Sequence, residues 1–162
     1  MELALSEHDA RLYKKLWASS RDITLAQQYA EHINKKGWYR QPWSKGAIYF
    51  QQSAYVTSMV VSYGRPFATG RNGVSFPGRL LGYTGADKAL HEKMLTLRHE
   101  IYAHSDPGHW TTIPWRSEGF ETVIFKKPPL LIEQVEVIQF IAMTGPLLTR
   151  INARIHEIMA RY

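Results

Sequence analysis

The chain contains no cysteine. That absence excludes a disulfide scaffold, a thiolate nucleophile, an iron–sulfur cluster and any Cys-ligated zinc, and it fits a reducing compartment. No Gly-Lys-Ser or Gly-Lys-Thr occurs, so nothing supports a nucleotide-hydrolysing P-loop. Long apolar runs are also missing. The longest, VIQFIAMTGPLL, is too short to span a bilayer and follows Glu133, Gln134 and Glu136, so no membrane helix is expected. The first residues, MELALSEHDARLYKK, carry charges where an export signal needs an apolar stretch, and a cytoplasmic protein is the expectation. Acidic residues are the scarcer charge: 14 Asp and Glu stand against 20 Lys and Arg, giving a net charge of +6 and a pI near 9.6. Such a surplus favours polyanionic partners, nucleic acid before an anionic membrane surface.

What is present reads as one domain spanning 1–162. The length suffices to bury a core without disulfides or a structural metal, and 44% hydrophobic with 21% charged residues is ordinary globular chemistry. The apolar periodicity is mostly helical, which predicts an all-α fold class. A first helix is expected over 6–19, capped by Ser6, and a second over 22–36, stopped by Gly37 behind two lysines. A third runs over 44–63, with Ile48, Gln51, Tyr55, Met59 and Ser62 on one stripe. Residues 62–85, SYGRPFATGRNGVSFPGRLLGYTG, hold six glycines and two prolines without a sustained period, and are expected to form an exposed or poorly ordered loop. Its arginines Arg65, Arg71 and Arg79, interleaved with Tyr63, Phe67 and Phe76, suggest an RNA-binding surface of cations and stacking rings. Helical order resumes over 86–104. A small β-hairpin follows over 109–125, with its turn at Glu118-Gly119. The last long helix opens at Pro128-Pro129 and meets Gly145-Pro146 midway, where a kink or break is expected. Leu130, Ile132, Val135, Val137, Ile138, Phe140 and Ile141 spread around more of its circumference than one core face needs, which suggests a dimer contact.

The chemistry concentrates in LRHEIYAHSDPGHW, where one arginine, three histidines, a glutamate and an aspartate fall within fourteen residues. HEIYAH invites a zinc reading, but a zinc helix places its histidines four apart. His99 and His104 are five apart, about 140° in azimuth on a regular helix, so no metal site is expected. Arg98 and His104, about 120° apart on a regular helix, can converge if the helix frays before Pro107. Arginine offers a permanent, forked cation suited to phosphate, and histidine gives and takes protons near neutrality. The pair is a minimal set for cleaving a phosphodiester without metal or other cofactor. Plainer roles also fit: His104 as a buried histidine on the apolar stripe, Arg98 as a surface ion-pair partner, Asp106 as a turn residue, Tyr102 as packing.

RHEIYAH, with a polar residue directly after the arginine and a histidine closing the motif, resembles the R-φ-x(4)-H signature of the HEPN superfamily, and the wider LRHEIYAHSD resembles its abortive-infection-type branch. The likeness covers about a tenth of the chain closely. His99 departs from the more usual asparagine or aspartate while staying within the family's polar set. The resemblance implies a HEPN-like helical bundle with the hairpin inserted before the last long helix, usually a homodimer with two motifs facing one cleft. It implies a metal-independent endoribonuclease of toxin–antitoxin or phage-defence type, in which the substrate's own 2′-OH attacks and a 2′,3′-cyclic phosphate and 5′-OH result. Arg98 would stabilise the phosphate and His104 act as general acid or base, with His99, Tyr102 and Asp106 in support and an antitoxin protein as a further partner. Some members of the superfamily have lost activity, so a catalytically inactive module that binds nucleotide, RNA or a partner protein is the alternative, followed by a purely structural dimerisation protein.

Overall fold

The computed structural model describes residues 3–38, 46–68, 74–102, 112–125 and 132–162. Helix α1 spans Glu7–Lys36, α2 Gly46–Gly64, α3 Gly85–Thr96 and α4 Gln134–Met159, with a π-helical turn at Leu97–Tyr102 and a hairpin of β1 Thr112–Ser117 and β2 Phe120–Phe125 before α4. The protein is mostly helical, with one small antiparallel hairpin ahead of the last helix.

The two helices expected over 6–19 and 22–36 are one 30-residue helix. Ser19-Ser20-Arg21-Asp22 contains neither glycine nor proline, and Ser19 Oγ donates to Lys15 O at 2.7 Å, within the helix rather than away from it. The expected ends hold. Ser6 Oγ accepts from Asp9 N at 3.2 Å, and Gly37, at φ 65°, lets Trp38 N bond back to Ile33 O at 3.0 Å. The buried residues Leu12, Leu16, Ser19, Ile23, Ala26, Ala30 and Ile33 alternate spacings of four and three, the seam that a neighbouring helix packs along. The small Ser19, Ala26 and Ala30 let that neighbour come close. It is α4, which runs antiparallel: Tyr162 Oη donates to Asp9 Oδ2 at 3.0 Å, and Ser20 Oγ to Asn152 Oδ1 at 3.1 Å.

On α2 the buried set is Gln52, Val56, Met59, Val60, Ser62 and Tyr63, a rotation from the expected stripe, since Gln51 is exposed. Burial of Val56, Met59 and Val60 on this face removes apolar surface from water. These residues join those of α1, α3 and α4 in one core cluster. The last helix begins at Gln134 rather than at the prolines. Glu133 caps it reciprocally with Glu136, whose Oε2 accepts from Glu133 N at 2.9 Å. The helix runs without a break through Gly145-Pro146, where a kink or break is expected.

The glycine-rich segment also departs from expectation. Where described, it is docked on the core: Pro66 is buried, while Phe67, Val74, Phe76, Leu80, Leu81 and Tyr83 are partly buried against the helices. Its clamp is Arg150 of α4, whose Nε donates to Leu80 O at 2.7 Å and whose second nitrogen donates to Leu81 O. Gly82, at φ 57°, makes room, since a Cβ there would lie 3.3 Å from Arg150 Cζ. The hairpin follows expectation, turning at Glu118-Gly119 with Gly119 at φ 78° and Ser117 paired to Phe120. It exposes Ile113, Trp115, Phe120, Val123 and Ile124.

Candidate functional site

The helix carrying the motif changes pitch where the motif begins. Leu97 N still bonds back to Lys93 O, and Leu97–Tyr102 then continues as a π-helical turn. The regular-helix angle between Arg98 and His104 therefore does not apply. The fraying expected near His104 falls outside the described residues. π-helical turns are uncommon and recur at functional sites. His104 and Asp106 lie outside the described residues, as does Arg71. Tyr102 closes the turn. His99 is exposed and has an interaction partner.

Arg98 is partly buried. Its aliphatic stem crosses Gly64, the last residue of α2, so closely that a Cβ on Gly64 would stand 2.6 Å from Arg98 Cγ and 3.1 Å from Arg98 Cβ. Gly64 has ordinary helical angles, φ −76° and ψ −18°, which any residue adopts. Close approach of Arg98, not backbone conformation, is the reason glycine suits this position. The Arg98 Nε is buried without a hydrogen-bond partner, and among the described residues no ion pair to Arg98 occurs. Of the three carboxylates considered as partners for Arg98, Glu92 lies 3.9 Å from Lys88, Glu133 caps α4, and Asp106 falls outside the described residues.

Behind this turn is a buried polar and aromatic group. Tyr63 Oη and His91 Nδ1 share a hydrogen bond of 2.7 Å, and the Tyr63 ring meets Phe67, His91 and Phe140 at centroid separations of 5.2, 5.8 and 4.9 Å. Burial raises the Tyr63 phenol far above its ordinary range. The Tyr83 hydroxyl, near but without hydrogen-bonding geometry, adds to the rise. Burial lowers the His91 pKa, against a smaller opposing influence from Glu92, and favours a neutral imidazole. Phe67 and Phe76, expected to stack on RNA, instead pack here, their rings 5.0 Å apart with Phe67 4.8 Å from His91. They are partly buried and unavailable as an open stacking platform. Arg65 and Arg79 are exposed. Arg65 follows Gly64 directly and reaches Asp22 on α1 at 3.4 Å.

Sequence reasoning missed Gly64, whose role depends on a contact across 34 positions, and it missed Trp17 with Arg21. The local signal for the latter was available, because residues four apart on a helix share a face. The Arg21 guanidinium carbon lies 5.1 Å from the centre of the Trp17 ring. Among the described residues no group of three or more His, Asp or Glu could hold a metal, and no helix is long and apolar enough to cross a membrane. Comparison with protein-family models, curated proteins and solved structures gives no match.

Proposed function

We propose that this protein is a metal-independent endoribonuclease of toxin–antitoxin or phage-defence type, acting in the cytoplasm as a HEPN-like homodimer. The observation that carries this reading is the setting of Arg98: a guanidinium on a π-helical turn, threaded over Gly64, with a buried Nε that has no hydrogen-bond partner among the described residues. A buried donor without a partner costs about 1–3 kcal/mol. An incoming phosphate oxygen would recover part of that cost, and arginine presents the fork that a phosphate matches.

In the proposed reaction the 2′-oxygen of the substrate attacks the adjacent phosphorus as its proton leaves to a base. The new O2′–P bond forms, the P–O5′ bond breaks, and the departing 5′-oxygen takes up a proton. His104 serves one of these proton transfers, and Arg98 stabilises the charge on the phosphoryl oxygens. His99, Tyr102 and Asp106 support the pair. No cofactor is required, and a neutralising antitoxin protein is the expected partner. The test is cleavage of a mixed RNA pool in EDTA by wild type, Arg98→Ala and His104→Ala. Cleavage by wild type and loss of at least about a hundredfold in each variant, with unchanged melting temperature, is expected. An inert wild type that still binds RNA through Arg98 would assign the chain to the inactive, binding form of the fold.

A further inference from the structure

A groove of about 540 Å³ lies along the outer face of α1, lined by Trp17, Arg21, Asp22, Leu25 and Gln28 and closed at one end by Arg65. A smaller hollow of about 200 Å³ continues it between α1 and α2, sharing Leu25 and Arg65 and adding Tyr29, Thr57, Ser58 and Ser62. Trp17 is 49% exposed, an unusual outlay for the largest side chain, and the Arg21 guanidinium stacked over it leaves indole surface open. The Arg65 side chain is 54% exposed, and its contact with Asp22 neutralises the groove's carboxylate. With Arg21, Arg65 and Asp22 as its charged lining, the groove carries a net positive charge.

We propose that this α1–α2 groove holds single-stranded RNA flanking the cut, one base stacked on Trp17 and the adjoining phosphates held by Arg21 and Arg65. The pairing of a cation with an exposed ring is what a single strand requires, because every base has a face to stack and every nucleotide a phosphate to neutralise. Thr57 and Ser58, both partly exposed, supply hydroxyls along the continuing hollow, suited to sugar and phosphate oxygens. Arg65, which lines both hollows, directly follows Gly64, the residue that the stem of Arg98 crosses. A rigid duplex presents no free base to Trp17, which selects single strands. The proposal rests on the reading above for the choice of RNA among anions and adds how the strand is held.

The experiment is fluorescence anisotropy with a labelled 12-nucleotide single-stranded RNA and a matching duplex, across a series of salt concentrations, for wild type, Trp17→Ala, Trp17→Phe and Arg65→Ala. Cleavage is suppressed in all arms with a 2′-O-methyl backbone. Single strand bound in preference to duplex, weakened by about ten- to a hundredfold in Trp17→Ala, is expected, with most of the affinity retained in Trp17→Phe. Arg65→Ala should flatten the salt dependence by about one phosphate contact, a slope change near 0.7. Single-strand affinity unchanged in Trp17→Ala, absent from wild type, or equalled by the duplex overturns the groove, as does a Trp17→Ala variant whose only effect is to dissociate a dimer. A wild type that binds as described but never cuts unmodified RNA leaves the groove standing and refutes only the ribonuclease reading. One that cuts RNA with Trp17→Ala indifferent does the reverse.

Discussion

Gly64 and Arg98 show how a single position can be set by a distant side chain. In a helix alanine is favoured over glycine by roughly 1 kcal/mol, so on helical grounds alone Gly64→Ala should stabilise α2. The stem of Arg98 stands where the new methyl would go, and its Cγ and Cβ are not a free end that can swing aside. We therefore expect Gly64→Ala to displace the guanidinium and reduce RNA cleavage by at least about tenfold, since catalytic groups tolerate displacements of only about half an ångström, while thermal denaturation changes by a few degrees at most. Wild-type activity in that variant would show that Arg98 needs no fixed path. His91 yields a second expectation. Burial holds its folded pKa below the ordinary 6.5, so below that pH the unfolded chain binds the proton more readily. The stabilising contribution is then complete above about pH 6.5 and lost as pH falls toward the depressed value. Melting temperature should decline from pH 6.5 to 5, before most carboxylates titrate, and the decline should be shallower in His91→Phe. Of the residue-level site, the motif with Arg98 and the exposed Arg65 and Arg79 were legible in the sequence. Gly64 was not, because glycine before an arginine in a glycine-rich stretch looks like a loop residue, and only the fold places it under Arg98.

At the scale of elements, ends were easier to read than continuity. Ser6, Gly37 and Glu118-Gly119 act within a few residues, and each does what its local chemistry implies. The run Ser19 to Asp22 resembles a boundary because serine and aspartate favour caps and turns. Here the seam from Leu16 to Ile23 against α4 outweighs that preference. If α1 is continuous, Ser20→Pro should cost about 3 kcal/mol or more through a lost hydrogen bond and a clash with the preceding turn; a urea midpoint equal to wild type would instead indicate a hinge between two helices. The glycine-rich segment was misread in a different way: its partly buried Phe67 and Leu81 are held by His91 and Arg150, partners remote in sequence. The apolar residues around the start of α4 divide between a core face and an outward face, the spread expected of them. Ile132, Val137 and Phe140 are core residues and Ile141 is partly buried, while Val135 and Ile138 remain 65% and 49% exposed; Leu130 lies outside the described residues. The proposed dimer contact on this helix narrows to those two. Val135→Lys with Ile138→Lys should leave the fold within about 0.5 kcal/mol per site, as surface changes usually do, and shift the mass seen by light scattering from dimer to monomer. A wild type that is monomeric at tens of micromolar would remove the dimer.

For the whole molecule, the proposed function draws on features carried by α1, by α2 and by the π-helical turn. The π-helical turn carries Arg98 over the end of α2, Arg65 follows Gly64 in the chain, and Arg65 also lines the groove with Trp17 and Arg21. The surplus of basic residues, net +6, adds a long-range attraction for a polyanion that weakens as salt rises. The helical class and the late hairpin were legible as periodicity and turn chemistry. The groove was not, because it arises from packing α1 and α2 side by side. The most direct test of the central claim is the chemistry of the ends produced from an RNA carrying a single 2′-O-methyl group, incubated with the wild-type protein in EDTA. Attack by the substrate's own 2′-OH predicts 2′,3′-cyclic phosphate and 5′-OH ends at unmodified cut sites and no scission at the blocked one. Cleavage that persists at the blocked position, leaves 5′-phosphate ends, or appears only when Mg²⁺ or Mn²⁺ is restored would contradict it.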